Sequence, residues 1–124
     1  MDVTFTEREL DVMAILWDQG SATVAEVRDR LEDDLAYTTV LTVLRTLEAK
    51  GYVKHREEGK AHRYLPAVAR SAAGQTALRR LTEKVFAGSP ELLLTQLVSG
   101  RRLTADELKR MRQLLDARLK ETRS

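Results

Sequence analysis

Residues 36 to 51 read Ala36-Tyr-Thr-Thr-Val-Leu-Thr-Val-Leu-Arg-Thr-Leu-Glu-Ala-Lys-Gly51. Set on a helix at about 100° per residue, Val40, Val43, Leu44 and Leu47 fall on one side at i, i+3, i+4 and i+7, the spacing of a stripe that packs on a core. The opposite side collects Thr38, Thr42, Arg45 and Ala49, flanked by Thr39, Leu41 and Thr46. A solvated helix face ordinarily carries Glu and Lys, which are soluble and good helix formers, whereas β-branched Thr is a poor choice there. Thr hydroxyls bond phosphates or bases, Thr methyls and Leu41 can meet a thymine methyl, and Arg45 can fork onto guanine O6 and N7. From this stretch alone the face either meets a nucleic acid or lies against another part of the same protein.

The rest of the chain narrows the choice. Its 124 residues suffice for one compact domain or two small lobes. The absence of Cys removes disulfides, thiolate metal sites and thiol catalysis. No apolar run approaches the roughly 20 residues of a membrane span, and the start Met-Asp-Val-Thr lacks the features of a secretory signal, so a soluble cytoplasmic protein is expected. Net charge is only +2, but it is unevenly spread: residues 1 to 35 hold 3 cations against 10 acids, residues 36 to 64 hold 6 against 3, and residues 65 to 124 hold 12 against 6. An acidic first third repels a phosphate backbone, so any DNA contact must centre after Ala36.

Three helix starts share one signature, a Thr followed three residues later by Glu: Thr6 with Glu9, Thr23 with Glu26, and Thr104 with Glu107. In such a capping box each side chain satisfies the other residue's free backbone N–H. The first helix, from Glu7 to near Gly20, is expected to turn Leu10, Met13, Ala14 and Trp17 inward. A second, from Val24, turns Val27 and Leu31 inward and ends in Glu32-Asp33-Asp34. The Ala36 helix follows after a short connection, as in a helix-turn-helix. Gly51 ends it, and the period then changes to two. Val53 to Arg56 reads as a strand, Glu57 to Lys60 as a turn holding Gly59, and Ala61 to Leu65 as the returning strand. This hairpin groups Lys54, Arg56, Lys60 and Arg63, with His55 and His62 on facing strands. Three helices and a basic hairpin, in that order, predict a winged helix-turn-helix.

After Pro66 the pattern is helical again. Leu78, Leu81, Val85 and Phe86 form a stripe ending at Gly88. Ser89 and Pro90 cap a short helix with Leu92, Leu93, Leu94, Leu97 and Val98 apolar nearly all round. A last helix from Ala105 turns Leu108, Met111, Leu114, Leu115 and Leu119 inward. So much Leu in about 55 residues asks for a second chain to cover it. The predicted architecture is mainly α with a small β-hairpin: residues 1–66 a winged-helix DNA-binding domain, residues 67–124 a helical dimerisation domain. Its interface is assigned to Leu78, Leu81, Val85, Leu93, Leu97, Leu108, Met111, Leu115 and Leu119. A monomer whose last helices fold back over the first domain is the other arrangement these residues permit.

The chain as a whole resembles the penicillinase-repressor family (BlaI/MecI/CopY). Phe-Thr-x-x-Glu-Leu-x-Val-Met-x-x-Leu-Trp from Phe5 to Trp17 is similar to the family's first helix. Thr38 to Leu44, Leu47 and Lys50-Gly51 are similar to its recognition helix and exit, and Arg63-Tyr64, Gly88 to Glu91 and Leu103 to Leu108 continue the match in order. The resemblance implies a homodimeric winged-helix repressor that binds an inverted-repeat operator. Two departures stand out. Family members often carry Arg immediately before the leucine matching Leu47, where this chain has Thr46 and places Arg45 one residue earlier. Copper-responsive members use a C-terminal cysteine pair that is absent here. β-Lactam-responsive members are inactivated by a regulatory protease within the short helix of the dimer lobe, and the matching pair here is Gln96-Leu97.

On these grounds Thr38, Leu41, Thr42 and Arg45 are assigned to base edges, and Tyr37, Thr39, Thr46, Lys54, Arg56, Lys60 and Arg63 to the DNA backbone. No cofactor is expected. The inventory for catalysis is thin, with no glycine-rich phosphate loop and paired carboxylates only at solvated ends. His55 and His62 with Glu57 or Glu58 compose at best a weak zinc set. A ligand-sensing regulator with a small-molecule pocket in the dimer lobe, where Thr95 and Gln96 are the clear polar groups, and a winged helix that binds protein instead of DNA are the other readings.

Overall fold

A computed structural model describes residues 3–100 and 102–123. Six helices and three short strands follow in the order α1 (Glu7–Gln19), β1 (Ala22–Thr23), α2 (Val24–Arg30), α3 (Tyr37–Ala49), β2 (Val53–Glu58), β3 (Ala61–Pro66), α4 (Arg70–Lys84), α5 (Pro90–Ser99) and α6 (Ala105–Arg123). The fold is mainly helical, as predicted, and carries a three-stranded antiparallel sheet in the order β1-β3-β2.

The three capping boxes form. Thr6 Oγ1 accepts from the Glu9 N–H at 3.1 Å while Glu9 Oε1 accepts from the Thr6 N–H at 2.8 Å. The same reciprocal bonds join Thr23 to Glu26 and Thr104 to Glu107. Gly20, at φ 82°, ends α1, and Gly51, also at φ 82°, turns the chain out of α3, a left-handed setting that costs glycine little.

The face that α1 buries differs from the expected one. Glu9, Val12, Met13 and Leu16 are buried, Trp17 is half-buried, and Leu10 and Ala14 are exposed. Positions 9, 12, 13 and 16 have the same i, i+3, i+4, i+7 spacing as 10, 13, 14 and 17, one residue back. Counting apolar residues favoured the second set because it excludes a carboxylate from the core. Glu9 can be inside because the Lys50 ammonium, at the end of α3, meets both its oxygens at 2.8 and 3.0 Å, which removes most of the cost of burying a charge.

The core gathers Val12, Met13 and Leu16 from α1, Ala22, Val24 and Val27 around the start of α2, Val40, Leu44 and Leu47 from α3, Tyr52 from the link between α3 and β2, and Val53 and Tyr64 from the sheet. Val43, expected in the α3 stripe, is half-buried at its margin, as is Leu31.

Two details of the sheet also depart from expectation. Pairing runs from Val53↔Pro66 to Glu58↔Ala61, so Glu57 and Glu58 belong to β2 and the turn is only Gly59-Lys60. Gly59 at φ 61° supplies the positive φ that a tight two-residue hairpin demands. The charged pair misled because Glu has little strand preference by itself. Ala22 and Thr23, paired with Tyr64 and Arg63, add a third strand too short to have any period of its own.

By its contacts the chain divides into two units, Met1–Arg79 and Arg80–Ser124. The first takes in the start of α4: Trp17 Nε1 donates to the Val68 carbonyl at 2.9 Å, Arg70 pairs with Asp18 at 2.6 Å, and Ala73 and Thr76 are buried. In the second, α4 stops at Lys84, and Ala87 (φ 52°) and Gly88 (φ 75°) turn the chain. Ser89 and Pro90 then start α5, with Ser89 Oγ accepting from the Leu92 N–H. No described side chain from Arg80 to Arg123 is buried.

The Glu9–Lys50 pair generates a pH dependence. Burial by itself would raise the Glu9 pKa, but the Lys50 ammonium and the Thr6 N–H outweigh it and hold the carboxyl below its ordinary value. An unfolded chain takes up this proton near about pH 4.3, where the folded chain binds fewer protons, so acid favours unfolding. The contribution is whole above the unfolded pKa and is lost as pH falls through the folded one. Glu9→Gln should cost on the order of 1 kcal/mol at neutral pH, because Lys50, 40% exposed, can turn its charge to water. In urea melts its stability should also slope less than the parent's between about pH 5 and 3; equal slopes would deny Glu9 this role.

Candidate nucleic-acid interface

The setting of α3 about its axis follows from its buried stripe. With Val40, Leu44 and Leu47 fully buried, Thr38, Thr39, Thr42, Arg45 and Thr46 on the other side are all exposed and Leu41 is half-buried beside them. The N-terminus of α3 has no side-chain cap, since Ala36 occupies that position, so its first amides face outward with the positive end of the helix dipole. Tyr37 is exposed at this end, with the Arg28 guanidinium 6.0 Å from its ring centre.

The hydroxyls are not equivalent. Thr42 donates to the Thr38 carbonyl and Thr46 to the Thr42 carbonyl, each at 2.9 Å, whereas Thr38 and Thr39 have no such bond. Arg45 has no hydrogen bond or ion-pair partner among the described residues and stands ready for an external one.

The hairpin formed by β2 and β3 brings a second group alongside. Tyr37, Leu41 and Arg45 of α3, Lys60 of the turn and Ala61 and His62 of β3 line, with Val24, a cleft of about 160 Å³ between helix and hairpin. Two cations, an imidazole and a phenol face it, and no carboxylate does. Lys54 and Arg56 are also exposed, on β2, whose one buried residue is Val53. His62 was not assigned a contact from the sequence. The signal was its position two residues after the turn, on the face opposite to Arg63, and the register needed to use that signal was legible only once the turn was known to be two residues long.

Arg63 is placed differently from the other three cations. It bonds Glu58 across the hairpin, Glu26 of α2 at 3.0 Å and the Ser21 hydroxyl at 3.3 Å, and its side chain is only 19% exposed. The Glu58 hydrogen bond, with the nearby Glu26 charge, holds its pKa above the ordinary value. The Thr23 N–H and hydroxyl, with Arg63 behind them, hold the Glu26 carboxyl below its own. Arg63 therefore ties the hairpin to α2. His55 meets Glu48 of α3 at 2.5 Å and stacks on His62, ring centres 4.4 Å apart. No group of three His, Asp or Glu side chains that could hold a metal occurs among the described residues.

In the second unit, Leu81, Val85, Leu97, Leu108, Leu115 and Leu119 are exposed, and Leu93 and Met111 are half-buried. Leu78, the remaining residue of the expected interface, is exposed in the first unit. Gln96 and Leu97 lie exposed within α5.

Comparison with known proteins agrees with this fold. The family model described as Penicillinase repressor matches residues 5–117. The transcriptional regulator BlaI of Mycobacterium tuberculosis is 37% identical over 112 residues, which cover 86% of this chain and 79% of the relative. The penicillinase repressor of Bacillus licheniformis is 23% identical over 113 residues, covering 90% and 88%. Among solved structures, the DNA-binding domain of the repressor BlaI superposes with a TM-score of 0.52 at 28% identity, over 58% of this chain and 90% of that one.

The position of Arg63 yields a test of its own. Arg63→Ala should lower the melting temperature and speed amide exchange in Ala61 to Tyr64, and Arg63→Lys should restore only part of the loss, because an ammonium lacks the planar fork that spans two carboxylates. An unmoved melting temperature would return Arg63 to the free surface cations.

Proposed function

Because the chain belongs to the penicillinase-repressor family of winged-helix regulators, we propose that it is a cytoplasmic DNA-binding transcriptional repressor that acts as a homodimer on an inverted-repeat operator. The observation that carries this is the outward face of α3. Thr38, Thr42 and Arg45 are exposed on a helix whose other side is locked into the core, and a major groove about 12 Å wide admits such a helix with its side chains against base edges. Lys54, Arg56 and Lys60 then meet phosphates from the hairpin, and Tyr37 with the uncapped start of α3 meets another. Arg63 serves this interface by holding the hairpin in place. Repression requires no bond-making step; the protein acts by occupying the operator.

Support for the dimer comes from the second unit. With no described side chain buried from Arg80 to Arg123, its helices cannot be stable without further cover. Val85 at 64% and Leu114 at 72% exposed are the extremes of this uncovered surface. A second copy supplies the same apolar seam by two-fold symmetry, which makes the operator a pseudo-palindrome with half-sites about one turn, or a multiple, apart. Release by a protease at Gln96-Leu97, which the family resemblance suggests, would require α5 to unwind locally first, because that bond lies within the helix.

Selection of duplexes from a random-sequence pool, followed by footprinting, tests the whole reading; it fails if no sequence is enriched. Arg45→Ala should relax preference at one base pair per half-site at a cost of about 1 to 3 kcal/mol, and an equal loss on all sequences would reduce Arg45 to a backbone contact. Lys60→Ala should weaken all duplexes alike and lower the salt slope by about one; an unchanged slope removes the turn from the interface. Leu115→Glu should give a monomer by light scattering with little operator affinity, since a charge in an apolar seam is costly. A mutant that stays dimeric would move the seam elsewhere.

A further inference from the structure

The threonine face of α3 contains two kinds of hydroxyl. Thr38 and Thr39 stand in the first turn, where no helical carbonyl lies four residues back, and their hydroxyl hydrogens remain available. Thr42 and Thr46 have given theirs to the carbonyls of Thr38 and Thr42. A hydroxyl has one hydrogen to donate. With it committed, neither residue can donate to a phosphate oxygen, to guanine O6 or N7, to adenine N7 or to thymine O4. The bond is a local habit of helical threonine in this chain, made also by Thr95 to the Glu91 carbonyl and by Thr122 to the Arg118 carbonyl. It forms without any external partner and would have to be broken before the hydroxyl could serve one.

What Thr42 presents outward is then a methyl group and an oxygen that can only accept. In the major groove these suit the thymine C5-methyl, or the amino groups of adenine and cytosine. Leu41, half-buried at the next position, widens the apolar surface and favours the first. Resting on the DNA-binding reading above, we propose that Thr42 selects thymine by methyl-to-methyl contact and not by hydrogen bonding, and that Thr46 makes no hydrogen bond to phosphate. Thr38 and Thr39 are left as the hydroxyl donors of the helix.

The test uses the full-length protein and the duplex it enriches most from a random-sequence pool, resynthesised with deoxyuridine replacing each thymine in turn. Thr42→Val, which keeps the methyl and loses the hydroxyl, should bind within about twofold of the parent, whereas Thr42→Ser should lose about fourfold per half-site, the worth of one methyl group removed from water. One deoxyuridine position per half-site should cost the parent a similar factor and cost Thr42→Ser nothing further, the non-additivity expected of two groups in contact. Thr46→Val should leave affinity and salt slope unchanged. The proposal is overturned if Thr42→Val loses as much as Thr42→Ser, if every deoxyuridine acts equally on parent and Thr42→Ser, or if Thr46→Val weakens all duplexes. A parent protein that binds duplex but fails these comparisons loses only this inference; one that enriches no duplex defeats the repressor reading and takes the inference with it.

Discussion

Three fully buried side chains, Val40, Leu44 and Leu47, fix the rotation of α3, and the remainder of the first unit is arranged to keep them so. A helix free to roll by one residue would turn its threonines by about 100°, carrying them from the open face to its edge. The stripe shares its core with Met13 and Leu16 of α1, Val27 of α2, Tyr52 just before β2 and Tyr64 of β3. The Glu9–Lys50 pair pins the far end of α3 to the first turn of α1, so the helix is held against both rolling and sliding.

The hairpin depends on a second set of ties. A two-stranded ribbon is marginal alone, and here β1 extends it to three strands while Arg63 spans Glu58 and Glu26. Glu26 serves twice, closing the capping box of α2 and receiving Arg63. The same carboxylate that starts a helix thus ties the hairpin to α2.

Local features were legible in the sequence because their causes are local. Capping boxes need only residues i and i+3, and the glycines at 20 and 51 need only a positive φ, so these helix ends followed directly; the end of α2 did not, since it stops at Arg30 with Leu31 already extended, short of the expected Glu32-Asp33-Asp34. The α3 stripe was legible because apolar and polar positions separate cleanly there. Features that depend on distant partners were not. Glu9 reads as a surface residue until Lys50, 41 positions away, is known to reach it, and that error turned the whole of α1 by one residue. β1 exists only as a partner of β3. Arg63 looked like Lys54 and Arg56 because a cation with two carboxylate partners and a cation with none among the described residues are identical in one-letter code.

The contrast between the two units bears on how the molecule responds to dilution. The first has a closed interior of its own, while in the second, from Arg80 onward, no described side chain is buried. In the homodimer proposed above, a segment of that kind takes its free energy of folding from association, so its order obeys mass action. On that proposal the threshold at which the chain begins to work is set by how many copies a cell makes, and a modest change in synthesis alters the fraction of competent molecules more steeply than in proportion.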